Sequence, residues 1–95
     1  MNKKEYLQGK IGEAVYINCV RWGYRGIVRS VGDDAVLISS PWMIFDANSY
    51  ATDKVKEEYE IPSDLMIALD AIEIMCQPVW AFNGYEKKHN RKENK

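Results

Sequence analysis

Few residue types in this chain are spaced for chemistry. Asp33 and Asp34 stand side by side, and two carboxylates together can hold a divalent cation or divide acid and base work. They follow Gly32, however, and a glycine-aspartate run is what a tight hairpin turn selects for its own backbone reasons. Turn chemistry is the cheaper account. Arg25 and Arg29, and further on Lys87, Lys88, Arg91 and Lys92, are the clustered cations that could neutralise phosphate. Cys19 and Cys76 belong to no C-x-x-C pair, so zinc and redox spacing is lacking and both read as small core residues, with a strand-to-strand disulfide left open. The single histidine, His89, stands in a polar tail without neighbouring ligands. With no histidine-nucleophile pair, no glycine-rich phosphate loop and no metal-ligand cluster, the chain is expected to be no enzyme and to carry no cofactor or metal.

The cations are unevenly placed. Net charge is -1, yet residues 5–85 hold twelve acidic and six basic side chains, so the body is acidic. Lys3 and Lys4 at one end and residues 86–95 at the other carry the compensating positive charge. Any general attraction for phosphate would come from those ends, although a charged tail that only aids solubility explains them too.

These residues must be positioned by a small fold. A chain of 95 residues, 46% hydrophobic and 28% charged, is ordinary globular material with one small core, marginal unless further surface is buried. Oligomerisation is one way to bury it. No run of eighteen apolar residues is present to span a bilayer, and no apolar stretch follows Lys3 and Lys4, which predicts no secretory signal and a cytoplasmic protein. One domain over residues 1–85 and a basic, disordered tail over 86–95 are expected.

Residues 4–9 suit one or two helical turns ended by Gly9. Residues 13–21 then alternate, with Val15, Ile17 and Cys19 on one face, the period-two signature of a strand. Trp22-Gly23 is read as the turn and residues 24–31 as the returning strand. Gly26 lies inside that strand, where glycine marks a sharp bend or a close backbone approach. Alternation puts Arg25 and Arg29 opposite Tyr24, Gly26 and Val28, facing outward into solvent. Residues 35–39 form a third strand punctuated by Pro41, and residues 42–45 are apolar enough to continue it. Residues 46–64 are polar, acidic and poorly periodic, a long excursion that either prolongs the two flanking strands or holds a helical turn over 54–60. Residues 65–69 and 71–76 read as strands four and five around a tight turn at Asp70-Ala71, with a single amphipathic helix through Met66, Leu69, Ile72 and Met75 as the competing reading. Trp80, Phe82 and Tyr85 are expected to pack as an appendage.

This order resembles the Sm-like (LSm) small-barrel family, as in a divergent phage or bacterial member. The resemblance covers about two thirds of the chain and rests on Leu7, Ile11-Gly12, Val15, Ile17, Gly23, Tyr24, Gly26, Val28 and Val31. Ile67-Ala68-Leu69-Asp70-Ala71-Ile72 stands where the family's second motif lies. It implies a mainly β fold, a short N-terminal helix and a strongly bent five-stranded antiparallel open (SH3-like) barrel. It also implies a homo-oligomeric ring of roughly five to seven copies, because open sheet edges must be paired or covered. Ile67, Leu69, Ile72, Ile74 and Met75 are the expected interface side chains.

The family's RNA site pairs an aspartate and an asparagine before strand three with an arginine-glycine pair before strand five. Here Asp33 and Asp34 fill the first loop, the asparagine position falls on Ala35 or Val36, and Ala68-Leu69 replace arginine-glycine. The donors that would read uridine are missing, and Asp70 adds negative charge. Two functions follow. One is a non-catalytic ring protein that contacts RNA or a ribonucleoprotein partner through Arg25, Arg29, Asp33, Asp34 and the basic tail, without uridine selectivity. The other is a protein-interaction or assembly component that binds no nucleic acid, which the acidic body favours.

Overall fold

The computed structural model describes residues 1–47 and 54–85. Helix α1, Lys3–Gln8, starts on a reciprocal cap: the Asn2 side chain accepts from the Glu5 amide at 2.8 Å and the Glu5 carboxylate accepts from the Asn2 amide at 3.0 Å. Leu7 is its buried residue. Among the described residues six strands follow, β1 (Ala14–Cys19), β2 (Gly23–Val31), β3 (Ala35–Asp46), β4 (Glu57–Glu60), β5 (Leu65–Ala68) and β6 (Ile72–Cys76).

All pairings are antiparallel, in the order β4-β3-β2-β1-β6, with β5 also on β3. The long β3 serves two partners. Its first half pairs with β5, from Ala35↔Ala68 to Ile38↔Leu65, and its second with β4, from Trp42↔Glu60 to Asp46↔Glu57. Between the halves lie Ser40, at φ 52°, and Pro41. Across on β2, the register slips between Arg25 and Ile27, around Gly26. A Cβ on Gly26 would overlap Ile38 Cγ2 and stand 3.0 Å from the Ser39 carbonyl oxygen and 3.3 Å from Pro41 Cα. The bend is therefore a close approach of two backbones that only glycine permits.

Two layers of core result. On the concave side Leu7, Val15, Ile17, Val28, Val36, Ile38, Ile67, Leu69 and Ile72 pack together. On the convex side Tyr16 and Ile44 meet Trp80 and Ala81, and Ala14 and Ile27 meet Tyr85. The segment after Pro78, with a 3-10 turn at Val79–Phe82, is thus a cover over the back of the sheet. This gives β1 two buried faces, which explains why Ala14, Val15, Tyr16 and Ile17 are all buried despite alternation.

Several boundaries differ from the sequence reading. The first hairpin closes before Trp22, with the Cys19 amide donating to the Trp22 carbonyl at 2.8 Å. Gly23 belongs to β2, where the Tyr16 ring occupies the place of a side chain. Of the two readings of residues 46–64, the described residues bear out the strands: β3 runs on to Asp46 and residues 57–60 pair with it. The strand expected at 65–69 ends at Ala68, and a 3-10 turn, Leu69–Ala71, replaces the tight turn. The partner of β3 comes in two pieces because Pro62 lacks an amide to continue the ladder. Residues 86–95, including Lys87, Lys88, Arg91 and Lys92, lie outside the described residues.

Candidate functional site

The β2–β3 turn and the β5–β6 turn are brought to one end of the sheet. The Gly32 amide donates to the Ala35 carbonyl at 2.8 Å to close the first, and the Leu69 amide donates to the Asp34 carbonyl at 2.8 Å to join the two. Helix α1 lies against this junction. Lys3 Nζ donates to the Leu69 carbonyl at 3.0 Å, and Lys4 pairs with the Asp33 carboxylate. The hydrogen bond and the charge of Lys4 hold the Asp33 carboxyl below its ordinary range. Asp34 and Asp70 are exposed beside them. Val36 and Leu69 are core residues. Lys3 and Lys4, which the sequence placed only among the basic ends, are the cations at these turns. A single lysine pair on a short helix carries no signal of where that helix docks.

Arg25 departs from its expected place. Alternation sets it opposite the barrel interior, but that side is covered and not solvated, so its residual exposure is 4%. Arg25 Nε and Nη2 donate to the two carboxylate oxygens of Glu58 at 2.7 and 3.0 Å, and Nη1 donates to the Asn83 carbonyl at 2.6 Å. The guanidinium carbon lies 5.2 Å from the Trp42 ring centre and 5.3 Å from that of Tyr85. The Tyr85 hydroxyl donates to the Ser40 carbonyl at the bend. Burial pushes the Tyr85 hydroxyl up to about 12, with Arg25 pulling against the rise and Glu58 and Glu60 adding to it. Arg25 is a rivet between β2, β4 and the C-terminal cover. Arg29 is exposed as expected.

The sheet ends in two kinds of free edge among the described residues: β4 with β5 on one side, and β6 on the other. Of the side chains expected at an interface, Ile67, Leu69 and Ile72 point into the protomer's own core at 6, 7 and 3% exposure, Ile67 and Ile72 by strand alternation and Leu69 from the 3-10 turn. Met75 also packs against that core. Ile74 is exposed on β6, and so is Met66 on β5. Cys19 and Cys76 are free, half-buried thiols, each raised chiefly by burial. They sit opposite Ile72 and Tyr16 rather than each other.

Three aromatic rings form a ridge at the far end of the concave face. Trp22 meets Phe45 edge-to-face at 4.8 Å and 77°, and Phe45 meets Tyr59 at 5.1 Å and 82°. Phe45 and Tyr59, with Met43, Glu57 and Ile61, line an apolar groove of about 510 Å³ along β4. Nothing in the periodicity of residues 46–64 predicted it, because the ridge depends on β4 returning beside β3.

A short N-terminal helix on a bent antiparallel sheet is an architecture shared with solved structures. A heptameric archaeal Sm protein is similar at a TM-score of 0.59 and 20% identity, over 77% of this chain and 96% of that one. The fold is Sm-like. The Pyrococcus abyssii Sm protein, solved in complex with a uridine heptamer, is similar at a TM-score of 0.58 and 14% identity, over 80% of this chain and 97% of its own. The P. aerophilum SmAP1 heptamer is similar at 0.58 and 20%, over 77% and 88%. No protein-family model and no curated protein matches the sequence.

Proposed function

We propose that the chain is a non-catalytic Sm-like protein that assembles into a homo-oligomeric ring. The observation that carries this reading is the pair of apolar edges. Strand β5, L-M-I-A, and strand β6, I-E-I-M-C, leave ladder groups unpaired and present Met66 and Ile74 to solvent. Pairing β5 of one copy with β6 of the next is a heterologous contact that repeats, and a repeating contact closes into a ring when its rotation allows, here at roughly five to seven copies. The heptameric state of two of the similar structures supports that range.

Within such a ring we place contact with RNA or a ribonucleoprotein partner at the joined turns, through Lys3, Lys4 and the exposed Arg29, with the basic tail adding affinity. Phosphate contacts of this kind bind without reading sequence. The turns hold Asp33, Asp34 and Asp70 and lack side-chain donors for a base edge, so no uridine selectivity is assigned. The second reading is an assembly component without nucleic acid, favoured by the acidic body.

Native mass spectrometry of protein purified without nuclease tests both parts. A single closed oligomer is the expected result, and monomer alone at micromolar concentration would refute the ring. Co-purified nucleic acid supports the first reading over the second.

A further inference from the structure

The free edge opposite β3 is chemically divided. Strand β5 is apolar, whereas β4 is E-E-Y-E. Strand β6 also carries a carboxylate, Glu73, so a second copy offering β6 meets a like charge along β4 and none along β5. The β4 half of the edge is thereby left for something else.

Its two faces differ. By alternation, Glu57 and Tyr59 turn to the side of Met43 and Phe45, and Glu58 and Glu60 to the side of Trp42 and Ile44. The first side is the apolar groove, where Phe45 is 43% and Tyr59 55% exposed. On the second, Glu58 is held by Arg25, and no described cation pairs with Glu60. An extended peptide laid along β4 would send alternate side chains to an aromatic groove rimmed by Glu57, whose carboxylate accepts from the Tyr59 hydroxyl at 2.9 Å, and to the Glu60 carboxylate. Its complement alternates apolar residues with lysine or arginine. Main-chain pairing supplies affinity in such strand addition, and pockets for alternate side chains supply specificity.

We propose that the free edge of β4 is a docking site for an extended basic peptide, added to the sheet as a further strand with its apolar side chains against Phe45 and Tyr59. The carboxylates disfavour a nucleic-acid strand on the same rings, because each phosphate would approach Glu57 or Glu60. Among the described residues the outer edge of β4 has no partner strand, and the ring contact proposed above uses β5 and β6 and not β4.

The test uses the full-length chain and a fluorescein-labelled peptide of alternating lysine and valine, read by anisotropy. Saturable binding is expected, weakened at least tenfold by Tyr59→Ala or Phe45→Ala and several-fold by Glu60→Gln, with circular dichroism and oligomer mass unchanged. The same peptide with alternate N-methylated amides should not bind, since it cannot complete a ladder. Absence of binding at low salt overturns the proposal, as does binding that survives both N-methylation and Tyr59→Ala, which would be charge attraction alone. Oligo-adenine binding that Tyr59→Ala abolishes would assign the rings to bases instead. A change of oligomer mass in Phe45→Ala or Tyr59→Ala would assign them to a neighbouring copy. Binding seen only after removal of residues 86–95 would assign the groove to the chain's own tail. Each of these three results rejects an external basic peptide, and the subunit number of the parent chain is read separately by native mass spectrometry.

Discussion

Arg25 and Glu58 face each other across β3 through two parallel hydrogen bonds of 2.7 and 3.0 Å, with the Trp42 ring beneath the guanidinium. The fork geometry matters because arginine alone can satisfy a carboxylate at two points and still donate to the Asn83 carbonyl at 2.6 Å. Removing one partner leaves the other charge largely buried. Arg25→Met and Glu58→Gln are each expected to destabilise the fold by about 3 kcal/mol in urea unfolding, and the double variant by clearly less than the sum. Arg25→Lys should resemble Arg25→Met more than the parent protein. Additive single effects would show that the pair does not act as a unit.

A second expectation concerns the bend. At Gly26 a valine must displace Ile38 and the backbone near Ser39 and Pro41, so the cost should exceed the about 1 kcal/mol that strand propensity alone spans. Gly26→Ala already adds the offending Cβ and should be destabilising, although replacing glycine inside a strand ordinarily strengthens it. Thermal melts of the two variants against the parent decide it. A Gly26→Val protein that melts with the parent would mean the sheet does not fold over at this position.

The same two positions show what the sequence reveals and what it hides. Gly26 was legible because a glycine amid Tyr24, Ile27 and Val28 breaks a strand pattern that has no other reason to be broken. The first three strands and the apolar edge at 65–76 were legible because period-two alternation is local, and the helix because Gly9 marks its end. Arg25 was half legible. Its side of the sheet followed from alternation, but its burial depends on residues 58 and 80–85, more than thirty positions away in sequence. The aromatic ridge was hidden for a related reason: Trp22, Phe45 and Tyr59 share no spacing and meet only through the tertiary pairing of β3 with β4. Ile67, Leu69 and Ile72, read from sequence as interface side chains, lie in the protomer core, because apolar residues beside a sheet edge look alike in sequence whether they face the core or a neighbour.

Tyr85 supplies a pH dependence. Its folded value of about 12 lies above the ordinary tyrosine range near 10. The folded state therefore holds the phenol proton more tightly than the unfolded chain does. That contribution is fully present below about pH 10 and is lost as pH rises from there toward 12. Tyr6, Tyr24 and Tyr59 are also raised, the first two by burial and the last by its hydrogen bond to Glu57, so they titrate in the same direction. Tyr85→Phe should flatten the fall in stability between pH 10 and 12 while lowering stability at neutral pH through loss of the bond to the Ser40 carbonyl. An unchanged alkaline slope would place the titration elsewhere.

For assembly, the exposed edge side chains separate a ring defect from a folding defect. Met66→Lys and Ile74→Lys each place a charge on an exposed apolar position of β5 or β6, so the protomer core is untouched. Either variant is expected to shift the mass toward monomer with an unchanged circular dichroism spectrum. Ile67→Lys, aimed into the core, should unfold the protomer instead. Multi-angle light scattering after size exclusion distinguishes the outcomes, and full-size oligomers in both edge variants would mean that copies do not meet through β5 and β6.

The final expectation concerns nucleic acid at the joined turns. Lys4 already neutralises Asp33, and Lys3 is tied to the Leu69 carbonyl, so the local positive charge is close to balanced by Asp33, Asp34 and Asp70. Binding there should be weak and steeply salt-dependent, because each lysine that meets a phosphate releases about one counterion. Fluorescent oligo-uridine and oligo-adenine should bind alike at low salt and fade together as salt rises. Replacing Lys3 or Lys4 with glutamine should reduce the slope of log affinity against log salt by about one if that lysine touches a phosphate. Arg25→Met should leave the slope unchanged, since that guanidinium is already engaged by Glu58 and the cover. Uridine-selective binding that persists at high salt would show that backbone amides of the two turns read the base, and would restore the joined turns as a sequence-reading site despite their side chains.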